Sequence, residues 1–315
     1  MPRRRFRAGA LAACAALAAL PLVLRAAQPD DDHRFGVIGH SFGNGGEARL
    51  KRAIGETSEK SLSFVVVTGI KGQDESCSDK LYQKRRDMIA DARRPMIVAP
   101  AGSDWTECRN SAGRSNAIER LNRLRELFYA EPTSLGAKPL QLTRQSMSPR
   151  FRSYAENAHW AVGTVLYATL NLPANNNHYL PAAGRNSEYE DRLVANRFWL
   201  NRLFAIARRD KLDAVVLFSE GDLKPFSEPT GLRALLRRTP NGQDGFAETR
   251  RQLLALAQKF PGKVLLVDSA ALPKDAHPAI EWQGKLGHMS VGSQAIEVGV
   301  EPEAKTMFSV KDAAD

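Results

Sequence analysis

The stretch from residue 63 to residue 108 constrains this chain more than any other. It opens with Ser63, Phe64, Val65, Val66, Val67, Thr68, Gly69 and Ile70, and closes with Pro95, Met96, Ile97, Val98, Ala99, Pro100, Ala101 and Gly102 ahead of Cys108. Two apolar runs, 64–67 and 96–99, each stop at a glycine-bearing loop. Between them, residues 79–92 carry apolar positions at helical spacing. Strand, loop, helix, strand and loop in that order predict parallel strands joined by a crossover. In such sheets chemistry gathers at the loops beyond the strands' carboxyl ends. Loops 68–72 and 101–108 are therefore the expected neighbourhood of any functional site.

The 315 residues suffice for one large α/β domain or two small ones. A hydrophobic fraction of 43% and a charged fraction of 25% are those of a globular protein and fit neither disorder nor a membrane-spanning bundle. The start reads differently. Arg3, Arg4, Arg5 and Arg7 precede an apolar, alanine-rich run over 8–24, and small residues follow. That order predicts an export signal over 1–27, with a flexible acidic leader over 28–34. Arg3, Arg4, Arg5 and Phe6 also fit the core of a twin-arginine signal, and the alternative to cleavage is a retained membrane anchor. The expected location is periplasmic or secreted, with membrane contact only through the signal if it stays uncleaved.

Removing the signal takes away five arginines and brings the formal balance from +10 to +5. No dense basic stripe interleaved with aromatics remains, so a nucleic-acid partner is not expected. Cys14 leaves as well. Cys77 and Cys108, each just after one of the paired loops, are then predicted to form a disulfide, the alternative being two buried thiols.

Further along, a strand is expected at 35–39, a glycine-rich turn at 39–46 and helices at 49–60, 115–128, 189–208 and 246–260. Residues 133–150 read as a polar loop, two short strands joined near Gly163 fill 160–170, and buried strands follow at 214–218 and 264–267. The segments 289–291, 295–300 and 306–310 read as terminal antiparallel strands. Without repeats or long linkers, 35–311 reads as a single domain.

Gly39, His40, Ser41, Phe42 and Gly43 match the Gly-x-Ser-x-Gly nucleophile elbow. Asp222 and His288 follow in the order that a serine esterase uses, so Ser41-Asp222-His288 is one candidate triad. Position counts against it, because that fold places several strands before the elbow and here almost none precede it. His178 and His288 otherwise read as separate structural loop histidines.

A broader pattern covers 35–310. It consists of Phe35, Gly36, Val37, Ile38 and Gly39; Ile70, Lys71 and Gly72 with Cys77, Ser78, Asp79, Leu81 and Tyr82; and Trp105 through Cys108. It continues with Leu124, Phe128, Gln145, Ser146, Glu156, Asn157, Trp160, Leu170, Asn171, Pro173, Asn175 and Asn176, and with strands 214–218 and 264–267. In this order of motifs the chain resembles the calcineurin-like metallophosphoesterase superfamily, in particular a branch of exported bacterial proteins. The resemblance implies an α/β fold, a two-sheet β-sandwich flanked by helices, with a dimetal site at the strand ends.

Two ions a few ångströms apart need a bridging carboxylate plus Asp, Asn and His ligands, and they hold the water that attacks phosphorus. Against the family pattern the ligand positions are altered. His40 stands where the first strand should end in aspartate, Thr68 and Gly69 where Gly-Asp should supply the bridge, and Ala101 to Asp104 where Gly, then Asn or Asp, then His or Asn is expected. Asp268 to Leu272 replace a histidine-rich segment. The resemblance thus implies a phosphoesterase fold without its metal pair, a pseudoenzyme binding a small ligand or a protein. No cofactor is expected, or at most one weakly held divalent ion. The alternative is an active phosphoesterase with a rebuilt site. His40, Asp104 and Asp222 are the catalytic candidates, and His40, Asp104, Asn157, Glu220 and Asp268 the residual metal candidates.

Overall fold

In the computed structural model the described residues are 31–40, 46–181, 186–227 and 243–312. The predicted signal, leader residues 28–30 and Ser41 lie outside them. The elements, in chain order, are β1 (His33–Ile38), α1 (Gly46–Glu59), β2 (Phe64–Thr68), α2 (Asp79–Ala90), β3 (Met96–Ala99) and α3 (Ala117–Phe128). There follow β4 (Thr143–Arg144), β5 (Ala158–Val162), β6 (Val165–Thr169), α4 (Ser187–Arg209), β7 (Ala214–Phe218) and α5 (Ala247–Lys259). The chain ends with β8 (Lys263–Asp268), β9 (Glu281–Gln283), β10 (Leu286–Ser290), β11 (Ala295–Val300) and β12 (Phe308–Asp312).

The strands form two mixed sheets, ordered β12-β11-β1-β2-β3 and β4-β5-β6-β7-β8-β10-β9. In the first, β1, β2 and β3 run parallel, as the 63–108 unit requires. In the second, β6, β7, β8 and β10 do. The apolar run 64–67 of β2, which ends at the buried Thr68, has a geometric cause. Phe64 and Val66 join the core between the sheets, whereas Val65 and Val67 pack under α1, α2 and α3. A strand buried on both faces has no position left for a polar side chain. β7 does the same in the second sheet: Val216 and Phe218 face inward, and Val215 and Leu217 pack against α4 and α5.

Aromatic rings close the space between the sheets. Phe64 of β2 meets Tyr167 of β6 at 4.7 Å and Trp160 of β5 at 5.2 Å, and Phe35 of β1 meets Phe218 of β7 at 5.7 Å. Each such pair adds about 0.5–1.5 kcal/mol beyond the area it buries. The result is a two-sheet sandwich with helices outside both sheets, all within the unit Asp31–Asp315.

Cys77 and Cys108 are disulfide-bonded, 31 residues apart, and tie the start of α2 to the loop after β3. Ser78 caps α2 by accepting the amide of Leu81 at 3.3 Å. Among the described residues no helix is long and apolar enough to cross a membrane.

Three expectations are corrected. β1 begins at His33, two residues inside the stretch read as leader, because His33 and Arg34 pair with Val300 and Gly299 of β11. The segment at 289–291 belongs to β10, which runs parallel to β8 and antiparallel only to the short β9. Residues 133–150, read as loop, contain β4, which pairs with β5.

Candidate functional site

The carboxyl ends of β1, β2, β3 and β7 converge on His40. It follows β1 directly and is 2% exposed. Its Nε2 lies 2.8 Å from Ser103 Oγ and 3.0 Å from the carbonyl of Lys71, and the Ser103 hydroxyl donates to that same carbonyl at 3.0 Å. Its Nδ1 stands 3.6 Å from Glu220 Oε1. Burial pushes the His40 ring down to about 4, and burial pushes the Glu220 carboxyl up to about 8. Near neutral pH both are uncharged, so the contact is between neutral groups and is no ion pair. The hydrogen on Nε2 suits the Lys71 and Ser103 oxygens, which leaves Nδ1 facing the Glu220 carboxyl.

Glu220 is held from two loops. Its Oε2 accepts the amide of Gly102 at 2.5 Å and that of Ala174 at 2.8 Å. Asp104 ties two further segments. Oδ1 accepts the amides of Ile70 at 3.0 Å and Lys71 at 3.3 Å, and Oδ2 accepts that of Ala101 at 2.8 Å. Burial raises its carboxyl to about 6, and those amides oppose the rise. Asp104 therefore fastens the β2 loop to the β3 loop with both oxygens engaged. Behind them, the wholly buried Arg85 of α2 donates to the carbonyl of Ile70, to Glu47 of α1 and to Glu75.

Gly69 shows why the cluster is closed. Its φ of +73° lies in the left-handed region, and a Cβ there would collide with His40 Cδ2 and come within 2.8 Å of Ala101 Cβ. The His40 ring occupies the place where a side chain on residue 69 would point. The cavity bordering His40, Thr68, Gly69 and Lys71 has a volume of only about 30 Å³.

The remaining candidates lie elsewhere. Asn157 donates from Nδ2 to Gln145 and Asn196, and its Oδ1 accepts the Asn171 amide. All of its polar capacity goes to a buried network under α4. Next to that network, Arg125 clamps Glu156 with two hydrogen bonds, of 2.9 and 2.7 Å. Asp268, Asp222 and His288 meet one another. His288 Nε2 is 2.6 Å from Asp268 Oδ2 and 3.2 Å from Asp222 Oδ1. The two carboxylates outweigh the burial that would lower His288 and raise it to about 10. Asp222 stays below the usual carboxylate range although burial opposes it, whereas burial lifts Asp268.

The set His40, Asp104, Asn157, Glu220 and Asp268 is thus not one cage. Only His40 and Glu220 face each other, and Asp104 backs them. His288, read as a loop histidine without a partner, sits within β10 beside two carboxylates. Nor is His178 free-standing: it packs on Trp105 with ring centroids 5.0 Å apart, at the end of a turn in which Asn176, Asn177 and His178 all have positive φ. Sequence reasoning did not single out Ser103 or Arg85, and Lys71 entered only as part of the family pattern. An arginine on the buried face of an amphipathic helix was the one available signal for Arg85.

No family model matches the sequence, and no curated protein matches it. Among solved structures the chain is similar to one described as "GAP50 the anchor in the inner membrane complex of Plasmodium". The identity is 12% over 89% of this chain and 88% of that chain, with a TM-score of 0.47. A likeness that shallow carries no functional argument.

Proposed function

We propose that this is an exported protein with a calcineurin-like metallophosphoesterase fold that holds no metal pair and acts by binding a small ligand or a protein. The observation that carries this reading is the His40 ring lying over Gly69, in the space a bridging carboxylate would need. The donors around it suit metal poorly. Nε2 is engaged by Lys71 and Ser103, both Asp104 oxygens serve backbone amides, and Glu220 keeps its proton near neutral pH. A two-metal cluster requires the opposite, ionised oxygens and open nitrogens aimed at a shared point. The basic, apolar amino terminus and the Cys77–Cys108 bond support an exported location, periplasmic or secreted.

Metal analysis and phosphatase assay of purified protein test this. Fewer than two transition-metal ions per chain and no metal-dependent hydrolysis of p-nitrophenyl phosphate are expected. Two stoichiometric ions, or robust turnover, would reject the reading in favour of a rebuilt phosphoesterase site. A serine-esterase reading draws on the 3.2 Å contact of Asp222 with His288, but Asp268 holds the same Nε2 at 2.6 Å. A fluorophosphonate probe is expected to leave Ser41 unlabelled.

A further inference from the structure

We propose that Asp222, Asp268 and His288 form a binding site for one divalent transition-metal ion of the zinc type, away from the His40 cluster. The three side chains come from separate segments. Asp222 lies in the loop after β7, Asp268 ends β8, and His288 sits within the neighbouring β10. In that pairing Leu266 stands opposite His288, and Asp268 opposite Ser290. Asp268 is two residues beyond Leu266, and His288 two beyond Leu286. Both leucines pack under the helices, so period-two alternation puts Asp268 and His288 on the helix-covered face.

The ligand atoms of all three lie within 4.8 Å of one another. One ring nitrogen joins the two carboxylates. Nε2 bears a single hydrogen and faces two carboxylate oxygens, at 2.6 and 3.2 Å. One N–H points squarely at one acceptor only, and Asp222 Oδ1, which takes the Lys224 amide at 2.6 Å, still has a lone pair to offer an ion. Asp268 cannot turn to solvent, since its side chain is 3% exposed and its Oδ1 already accepts the Ala270 amide at 2.9 Å. An ion satisfies every donor atom at once, because it accepts several ligands around one centre. On ligation the imidazolium gives up its Nε2 proton to solvent, and two carboxylates with the resulting neutral imidazole carry a charge of −2, which a divalent cation cancels. Imidazole in the set favours zinc-like ions over magnesium or calcium, which take oxygen ligands. The site is reachable, with His288 15% and Asp222 21% exposed, and the Phe226 ring stands edge-on to His288 at 6.1 Å. Three protein ligands leave room for water.

The test is titration of the untagged, metal-stripped protein with zinc by calorimetry, alongside His288→Ala, Asp222→Asn and, as a control, the exposed His277→Ala. One zinc ion per chain is expected, with affinity at least tenfold weaker in His288→Ala and Asp222→Asn and unchanged in His277→Ala. No saturable binding, or binding that both site variants retain, overturns the proposal. Should the variants not fold, zinc X-ray absorption on the wild-type protein decides. One imidazole with oxygen neighbours supports the site, whereas sulfur or two imidazoles refutes it. Because the readout is one ion lost with His288, its failure leaves the reading of the His40 cluster untouched.

Discussion

Replacing Gly69 by alanine adds a methyl group that the structure has nowhere to put. The backbone at φ +73° is left-handed, which costs an L side chain roughly 1–2 kcal/mol. The new Cβ also meets His40 Cδ2 and the Ala101 methyl, and overpacking of this kind costs about 1–3 kcal/mol. Together about 3 kcal/mol is expected, or roughly 6–12 °C of thermal midpoint at about 2–4 °C per kcal/mol for a domain of this size. Thermal and urea unfolding followed by circular dichroism would measure it. The diagnostic step is the double-mutant cycle with His40→Ala. Removing the ring takes away the His40 part of the steric share and leaves the Ala101 contact and the backbone share, so a coupling of at least about 1 kcal/mol is expected. If Gly69→Ala costs the same with and without the ring, or less than about 0.5 kcal/mol alone, His40 does not fill that space. A bridging ligand on residue 69 would then have room.

Reducing the Cys77–Cys108 bond, which closes a 31-residue separation, should remove about 3–4 kcal/mol, read as a lower unfolding midpoint with reductant. Intact protein in non-reducing mass spectrometry should be about two mass units lighter than the dithiol. Glu220→Gln tests the buried carboxyl. The folded carboxyl titrates at about 8 against an ordinary 4.5, so between those values the native state binds the extra proton and stability falls as pH rises. The glutamine variant should lack that decline and exceed the wild type in stability above pH 8, and a parallel decline in both would refute the assignment. Arg125→Met strands the fully buried Glu156 without its cation and should cost about 3–5 kcal/mol in urea unfolding.

The elements with the densest β-branched and aliphatic runs were readable from the chain alone. β2, β3 and β7 lie within a residue of their expected bounds because burial on both faces allows only apolar side chains there. β9 and β10 were harder. Glu281, Trp282 and Gln283 make a three-residue edge strand, and Leu286 to Ser290 include a glycine and a histidine, which weaken any strand signal. The site followed the same division. Beyond β1 and β7 the expected residues His40 and Glu220 do meet, since both follow parallel strands at one end of the sandwich. Asp268 belongs to the other face, because one further residue past Val267 reverses the side chain's direction. That His40 would lean on the carbonyl of Lys71 depends on the left-handed turn at Gly69. A glycine in the sequence allows such a turn but does not require it.

β1, the first strand among the described residues, is flanked by β2 on one side and β11 on the other, with His33 paired to Val300. A growing chain can satisfy one edge of β1 early, but the opposite edge waits for residues more than two hundred positions downstream. Contacts so distant close slowly and leave an unpaired edge open to other chains meanwhile. Synthesis must therefore pass residue 300 before β1 is sealed on both sides.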